Sequence, residues 1–178
     1  MKTFRILPVL FFLIFIQLKS NAQFASAEIG VDGLTCSACT RSVEMSIRKL
    51  SFVDSVSMNL EHTEGKIIFK KGSKVDIEKI AKAVEDAGFS LRSLTAEITI
   101  DGLKTSNDFC WDYQNNVYHF VKMPANTELK GPVKLKFIGG EFMSNKEFKT
   151  WKIYCTSTCN SGTPANAPHS KNYYVSLL

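Results

Sequence analysis

The sequence predicts an α+β protein: a ferredoxin-like βαββαβ unit over residues 26–95, followed by a small, mostly β domain over residues 96–178. The spacing of apolar residues is the first reason. Within residues 26–95 it changes twice from alternation, typical of strands, to helical spacing, whereas alternation prevails after residue 95. The cysteines are the second reason, because two of the five lie in the first part and three in the second.

The first strand and helix are predicted between residues 26 and 50. Ala27, Ile29 and Val31 alternate with their neighbours and predict a half-buried strand, which Gly33 ends. Apolar residues then recur at helical spacing over residues 38–50. This order gives the opening β and α elements of the unit.

The remaining elements of the unit follow at short intervals. Alternating apolar residues predict strands over residues 56–60 and 66–70, separated by a polar turn. Residues 77–84 have the spacing of an amphipathic helix, and Gly88 is placed as a helix-ending glycine. Residues 89–94 can form the last strand.

The second part of the chain reads as several strands of unknown topology. Gln114 to Asn116 predict the turn of a hairpin that begins near Phe109. Alternation predicts further strands, at residues 98–100, 133–137, 148–155 and 173–178. A short helix starting at Ser144 is an alternative to the strand at residues 148–155, because residues 144–147 fit a capping box.

Residues 1–22 have the features of a cleaved secretory signal. Lys2 and Arg5 form a basic start, residues 6–16 are almost wholly apolar, and residues 20–22 include small side chains where a signal peptidase reads. The alternative is an uncleaved anchor, but the apolar run is shorter than the roughly 18–20 residues of a spanning helix. We expect an exported protein without stable membrane insertion, periplasmic if its source is a Gram-negative bacterium and secreted otherwise.

The charge pattern argues against a nucleic-acid partner. The full chain has a formal net charge of +5, which falls to +2 without residues 1–22, since these hold Lys2, Arg5 and Lys19. No basic patch interleaved with aromatic residues stands out. Export also favours disulfides, and an odd number of cysteines leaves at least one unpaired or available to a metal.

One short motif, Cys36 to Cys39, indicates the chemistry. Haem attachment requires histidine at position 40, where this chain has Thr40. A thioredoxin-type site usually has Trp before the first cysteine and Pro between the two, whereas here Thr35 precedes and Ser37-Ala38 intervene. A structural zinc site needs a second ligand pair, and residues 26–95 hold none.

A metal carrier fits the motif on physical grounds. Cys39 falls in the predicted first turn of a helix, whose positive end lowers the pKa of a thiol and favours thiolate. Thiolates select soft ions such as Cu(I), or thiophilic Zn(II) and its heavier relatives. A site with only two sulfurs on an exposed loop is under-coordinated, so the thiolates of an acceptor could enter before the first pair leaves.

The run from Gly33 to Cys39, Gly-Leu-Thr-Cys-Ser-Ala-Cys, resembles the Gly-Met-Thr-Cys-x-x-Cys motif of heavy-metal-associated domains, with Leu34 in place of methionine. The resemblance extends over residues 26–95 and includes Ala87-Gly88-Phe89. It implies Cys36 and Cys39 as ligands of a soft ion. Our first choice is copper(I), with zinc, cadmium or mercury as alternatives, and the implied partner is a metal-transporting protein or another thiol-bearing acceptor.

Two other functions use the same motif and stay open. The pair could serve a thiol–disulfide oxidoreductase, although the neighbouring Trp and Pro are missing. Alternatively, the heavy-metal-like domain could be a scaffold within an interaction module. We favour a metal carrier over an enzyme.

Further ligand candidates rank below this pair. In a βαββαβ chain, His62 and Phe89 share one end of the fold with the cysteine loop, so His62 could be a third ligand and Phe89 could shield the site. In the second part, Cys155 and Cys159 could belong to a second metal site together with Cys110, and His119 and His169 lie in the same half of the sequence. A disulfide between Cys110 and either Cys155 or Cys159 is the interpretation we prefer there.

Overall fold

The computed structural model describes residues 22–157, 159 and 171–178. The predicted signal sequence, apart from Ala22, lies outside the described residues. The first part of the chain forms β1 Gln23–Asp32, α1 Ser37–Arg48, β2 Val53–Asn59, β3 Glu64–Phe69, α2 Ile77–Asp86 and β4 Ser90–Thr105. The second part forms β5 Phe109–Tyr113, β6 Asn116–Phe120, β7 Thr127–Ile138, α3 Asn145–Trp151 and β8 Asn172–Leu177, with a 3₁₀ turn Lys152–Tyr154 after α3.

The strands of the described residues form one sheet in the order β2-β3-β1-β4-β7-β8-β6-β5. Neighbouring strands are antiparallel except β6 and β8, which are parallel. The first four strands have the ferredoxin-like order. Helices α1 and α2 contact each other, so they share a face of this part of the sheet. The predicted α+β class and ferredoxin-like unit are therefore confirmed.

Strand β4 connects the two parts of the chain. It is 16 residues long and runs through the predicted boundary between residues 95 and 96. Ala96 pairs with Ala27 of β1 on one side and with Leu135 of β7 on the other. One sheet therefore extends through both parts, and the division into two domains stays a prediction.

The core also crosses that boundary. Phe24 of β1 is only 2% exposed. Its ring centroid lies 6.0–6.4 Å from those of three aromatic residues of the second part, Tyr113, Tyr118 and Phe137. Burying such rings together contributes more than their area alone. The β-rich second part is thus attached to the ferredoxin-like unit by packing as well as by hydrogen bonds.

The predicted strand over residues 148–155 is wrong. This segment is helix α3 and a 3₁₀ turn, as the alternative capping box indicated. The backbone N–H of Glu147 donates to Oγ of Ser144 at 3.4 Å, which caps the helix start. A strand would have placed Trp151 and Ile153 on one face, but Trp151 packs against a small core cluster while Ile153 is 68% exposed.

Other elements of the second part agree with the sequence. The hairpin of β5 and β6 turns at Gln114 and Asn115, both of which have positive φ angles. Positive φ at two successive residues is the geometry that tight hairpin turns require. The last described strand, β8, also lies where alternation predicted it.

Candidate metal centre

The loop between β1 and α1 carries the cysteine motif. Gly33 follows β1 directly and has a φ of +87°. This left-handed backbone conformation is unfavourable for residues other than glycine. Leu34 then turns inward and is 5% exposed. The loop is thus fixed on its inner side, and the residues after Leu34 remain at the surface.

Cys36 and Cys39 lie at the start of α1. Cys36 is the N-cap residue, with extended backbone, and its Sγ accepts a hydrogen bond from the backbone N–H of Cys39 at 3.3 Å. Their Cα atoms are 5.2 Å apart, and the structure pairs the two as a disulfide. Cys36 is exposed, whereas Cys39 is half-buried and packs against the hydrophobic core. The two sulfurs are therefore close enough to hold one ion together, and one of them faces solvent.

The start of α1 favours negative charge on these sulfurs. Its first backbone N–H groups have no partner within the helix, and the helix dipole places a partial positive charge there. The first turn contains no acidic side chain that would oppose a thiolate. A bis-thiolate complex with a soft ion would be stabilised at this position.

The neighbouring turns meet at the same end of the sheet. The backbone N–H of Val31 donates to the carbonyl of Thr63 at 2.9 Å, which holds the β2–β3 turn against the end of β1. The Phe89 ring lies 3.5 Å from the position that a Cβ on Gly33 would occupy. The loop thus has a hydrophobic cover on one side, and Phe89 lies where the sequence placed it.

Arg92 is a positioning residue that the sequence reasoning missed. Its Nη1 donates to Oγ1 of Thr63 at 2.7 Å and to Oδ1 of Asp32 at 3.4 Å, and its Nη2 donates to the carbonyl of His62 at 3.2 Å. One guanidinium therefore joins the end of β1 to the β2–β3 turn. Its place in the strand predicted over residues 89–94, three residues after Phe89, is the signal that the sequence offers.

His62 shares the end of the fold with the cysteines, but its side chain is exposed. Among the described residues, one group of three or more His, Cys, Asp or Glu side chains has ligand atoms close enough for a metal, and it is Cys110, His119 and Cys159. His62 thus does not complete a three-ligand set with Cys36 and Cys39 in this conformation. Its role as a ligand stays a prediction.

The second-part cysteines are arranged as a disulfide and one separate thiol. The structure joins Cys110 to Cys159, with their Cα atoms 5.8 Å apart, in agreement with the pairing that the sequence favoured. Cys155 is a free thiol outside that group, and burial raises its pKa. The structure therefore does not bring Cys155 and Cys159 together as a ligand pair.

A cleft of about 750 Å³ lies beside the cysteine loop. It runs between α2 and the segment before α3, and Asp32 and Phe89 line the end nearest the loop. Its wall also carries three carboxylates, those of Glu78, Glu85 and Glu141, and one lysine, Lys82. Glu78 is paired with Lys171 at 2.6 Å and Asp32 with Arg92 at 3.4 Å, so Glu85 and Glu141 are the carboxylates of this wall without an ion pair among the described residues.

Comparison with known proteins agrees with this geometry. The family model described as the heavy-metal-associated domain matches residues 28–90. The mercuric transport protein periplasmic component of Serratia marcescens is 38% identical over 68 residues, which cover 38% of this chain and 74% of that protein. The chain belongs to the heavy-metal-associated family. Its heavy-metal-associated domain carries the cysteine loop, and residues 96–178 lie outside the matched segment.

Larger proteins and solved structures share the same segment. Copper-transporting ATPase 1 of Rhizobium meliloti is 38% identical over 69 residues, which cover 39% of this chain but only 8% of the ATPase. The CopZ metallochaperone is 27% identical over 38% of this chain and 98% of its own, with a TM-score of 0.36. Oxidized MerP from Ralstonia metallidurans CH34 is 32% identical over 40% of this chain and 97% of its own, with a TM-score of 0.33.

Within the described residues, no helix is long and apolar enough to cross a membrane.

Proposed function

We propose that the protein binds one soft metal ion through the thiolates of Cys36 and Cys39 and carries or sequesters it outside the cytoplasm. The observation that carries this proposal is the pair itself, with Cα atoms 5.2 Å apart at the start of a helix whose first turn has no acidic side chain. Both sulfurs would point at one ion once the disulfide is reduced. Binding and release of a metal need no further chemistry, so the protein would act as a carrier rather than an enzyme.

Cu(I) is the ion we favour. Two thiolates without hard oxygen ligands select soft ions, and Cu(I) is the softest that such sites commonly take. Among the relatives, the printed names of the copper-transporting ATPases are consistent with copper, and those of the mercuric transport proteins with mercury. Zinc, cadmium and mercury are the runners-up.

The unequal exposure of the two sulfurs supports transfer by ligand exchange. Cys36 is exposed and could meet an incoming thiolate, while the half-buried Cys39 would still hold the ion. The partner would be a metal-transporting protein or another acceptor with thiols. In the cleft beside Phe89, basic side chains of such an acceptor would contact Glu85 and Glu141, which have no ion pair among the described residues.

Export to the periplasm or beyond is part of the proposal. It rests on the signal-like residues 1–22 and on the cysteine pairing, because disulfides persist in oxidising compartments. The periplasmic location in the printed name of the mercuric transport relative agrees with it.

A thiol–disulfide oxidoreductase is the second candidate. One observation favours it: Cys36 and Cys39 are joined as a disulfide, and the exposed Cys36 is open to attack by a substrate thiolate. The two functions predict different behaviour. A carrier would hold Cu(I) far more tightly than glutathione does, whereas an oxidoreductase would catalyse the reduction of insulin disulfides.

The test compares three reduced proteins: wild type, Cys36→Ser/Cys39→Ser, and Cys155→Ser as the matched thiol control. Cu(I) binding is measured by competition with a chromophoric ligand, and the number of bound ions by native mass spectrometry. We expect the double variant to lose one tightly held Cu(I) and Cys155→Ser to lose none. Wild-type binding weaker than that of glutathione, together with insulin reduction that requires Cys36, would instead support the oxidoreductase.

A further inference from the structure

A second group of metal-ligating side chains lies far along the chain from the cysteine loop. Cys110 of β5, His119 of β6 and Cys159 have ligand atoms that all lie within 4.8 Å of one another. Cys110 and His119 are directly opposite each other in the β5–β6 pairing, so the sheet register itself brings them together. We call these three residues the β5–β6 cluster.

His119 is the unusual member of the β5–β6 cluster. It is 4% exposed, and neither of its ring nitrogens has a hydrogen-bond partner among the described residues. Its Nε2 lies 3.3 Å from Oδ1 of Asp108 but is not aligned for a hydrogen bond. Buried polar atoms are nearly always paired, and leaving one unpaired costs about 1–3 kcal/mol. Among the residues that the structure describes, this imidazole therefore lacks the partner that its burial calls for.

The surroundings hold the imidazole in place without satisfying it. The ring of Tyr174, the neighbour of His119 in the β6–β8 pairing, lies 5.1 Å away, centroid to centroid. The hydroxyl of Tyr174 donates to the carbonyl of Ser157 at 3.0 Å, and Oγ of Ser157 donates to Asp108 at 2.8 Å. Asp108 is close enough to accept the second N–H of a metal-bound His119 once the imidazole rotates into alignment, as carboxylates do for metal-bound histidines.

We propose that Cys110, Cys159 and His119 form a second metal site, which becomes available when the Cys110–Cys159 disulfide is reduced. Two thiolates and one imidazole suit Zn(II) or Cu(I), since both ions accept sulfur and nitrogen ligands. This site is separate from Cys36 and Cys39 and does not depend on the function proposed for them. The disulfide is its closed state, in which the sulfurs are bonded to each other.

Opening the site requires a reductant, and a dithiol protein is the class we assign to it. The two thiols of the donor are oxidised to a disulfide. Their two electrons and two protons pass to Cys110 and Cys159, whose S–S bond breaks, and both become thiols. A metal ion then displaces both thiol protons and binds the two thiolates and one nitrogen of His119. No other group is oxidised or reduced.

The experiment uses the full chain with Cys36→Ser and Cys39→Ser, so that the first site cannot bind an ion. This protein is titrated with Zn(II) and, separately, with Cu(I), before and after reduction by a phosphine. Native mass spectrometry counts the bound ions, and competition with a chromophoric chelator gives the affinity. We expect the oxidised protein to bind no ion and the reduced, folded protein to bind one. Bound metal should raise the melting temperature of the reduced protein.

Two further variants in that background identify the ligands. His119→Gln should weaken binding by about tenfold or more, because even second-layer partners of a metal typically contribute 10–100-fold. Cys155→Ser, which removes the neighbouring thiol, should leave the affinity unchanged. Circular dichroism checks that each reduced variant is folded.

Three results would overturn the proposal. The first is a reduced protein that binds neither ion. The second is an affinity that His119→Gln leaves unchanged. The third is unfolding on reduction that added metal does not reverse, because a metal site formed by these residues would restore the β5–β6 packing.

Discussion

The two disulfides should differ in what they contribute to stability. Cys110 and Cys159 are 49 residues apart in sequence, whereas Cys36 and Cys39 are three apart. In the chain-entropy model, a cross-link stabilises by restricting the unfolded chain, and its effect grows with the logarithm of the loop length. The long loop gives about 4 kcal/mol and the short one about 2 kcal/mol. Replacing Cys110 and Cys159 by Ala should thus cost about twice as much as replacing Cys36 and Cys39.

Urea unfolding of the oxidised proteins measures this difference. All three proteins carry Cys155→Ser to prevent disulfide exchange: a reference, one lacking Cys110 and Cys159, and one lacking Cys36 and Cys39. With an m-value of about 2 kcal/mol/M, the midpoints should fall by about 2 M and about 1 M respectively. Equal losses, or a larger loss for the Cys36 and Cys39 variant, would refute the explanation of the difference by loop length.

The remaining predictions concern the shared core, the loop and the free thiol. Phe24→Ala should lower the free energy of unfolding by about 3–5 kcal/mol, because the ring is buried between both parts of the chain. Its transitions by tryptophan fluorescence and by circular dichroism should coincide, and separate transitions would show that the two parts unfold independently. Gly33→Ala should cost at least about 1 kcal/mol in the same urea assay, because of its φ of +87°; an unchanged midpoint would contradict this. Burial raises the pKa of Cys155, so less thiolate is present at pH 8, and iodoacetamide should modify it more slowly than a cysteine in a short peptide; an equal rate would contradict it.

Local patterns were sufficient to predict the ferredoxin-like unit. Its strands and helices follow the periodicity of the apolar residues. Cys36 and Cys39 stand out because other uses of two cysteines at that spacing, such as haem attachment or structural zinc, require further residues that are missing here. The same fold order correctly placed His62 and Phe89 at the end of the sheet that carries the loop.

Long-range pairing is what the sequence could not supply. Alternation of apolar residues indicated β7 and β8. It could not show that β4 continues past residue 95 and pairs with β7, because strand order depends on contacts between residues that are far apart in the sequence. Cys110 lies opposite His119 only in the observed register of the β5–β6 hairpin. A shift of the register by one residue would separate the two side chains. Helix α3 was mistaken for a strand because its few apolar residues fit both spacings, and the cap at Ser144 decided between them.

The central claim is that Cys36 and Cys39 are the ligands of a soft ion. The most direct test is a ¹⁵N-labelled sample of the reduced Cys110→Ala/Cys159→Ala protein, which lacks the second proposed site, observed by NMR before and after one equivalent of Cu(I). The account predicts that the largest amide shifts fall on residues 33–41 and on Phe89, which covers the loop. Amide signals of residues 33–41 that stay unmoved would contradict it.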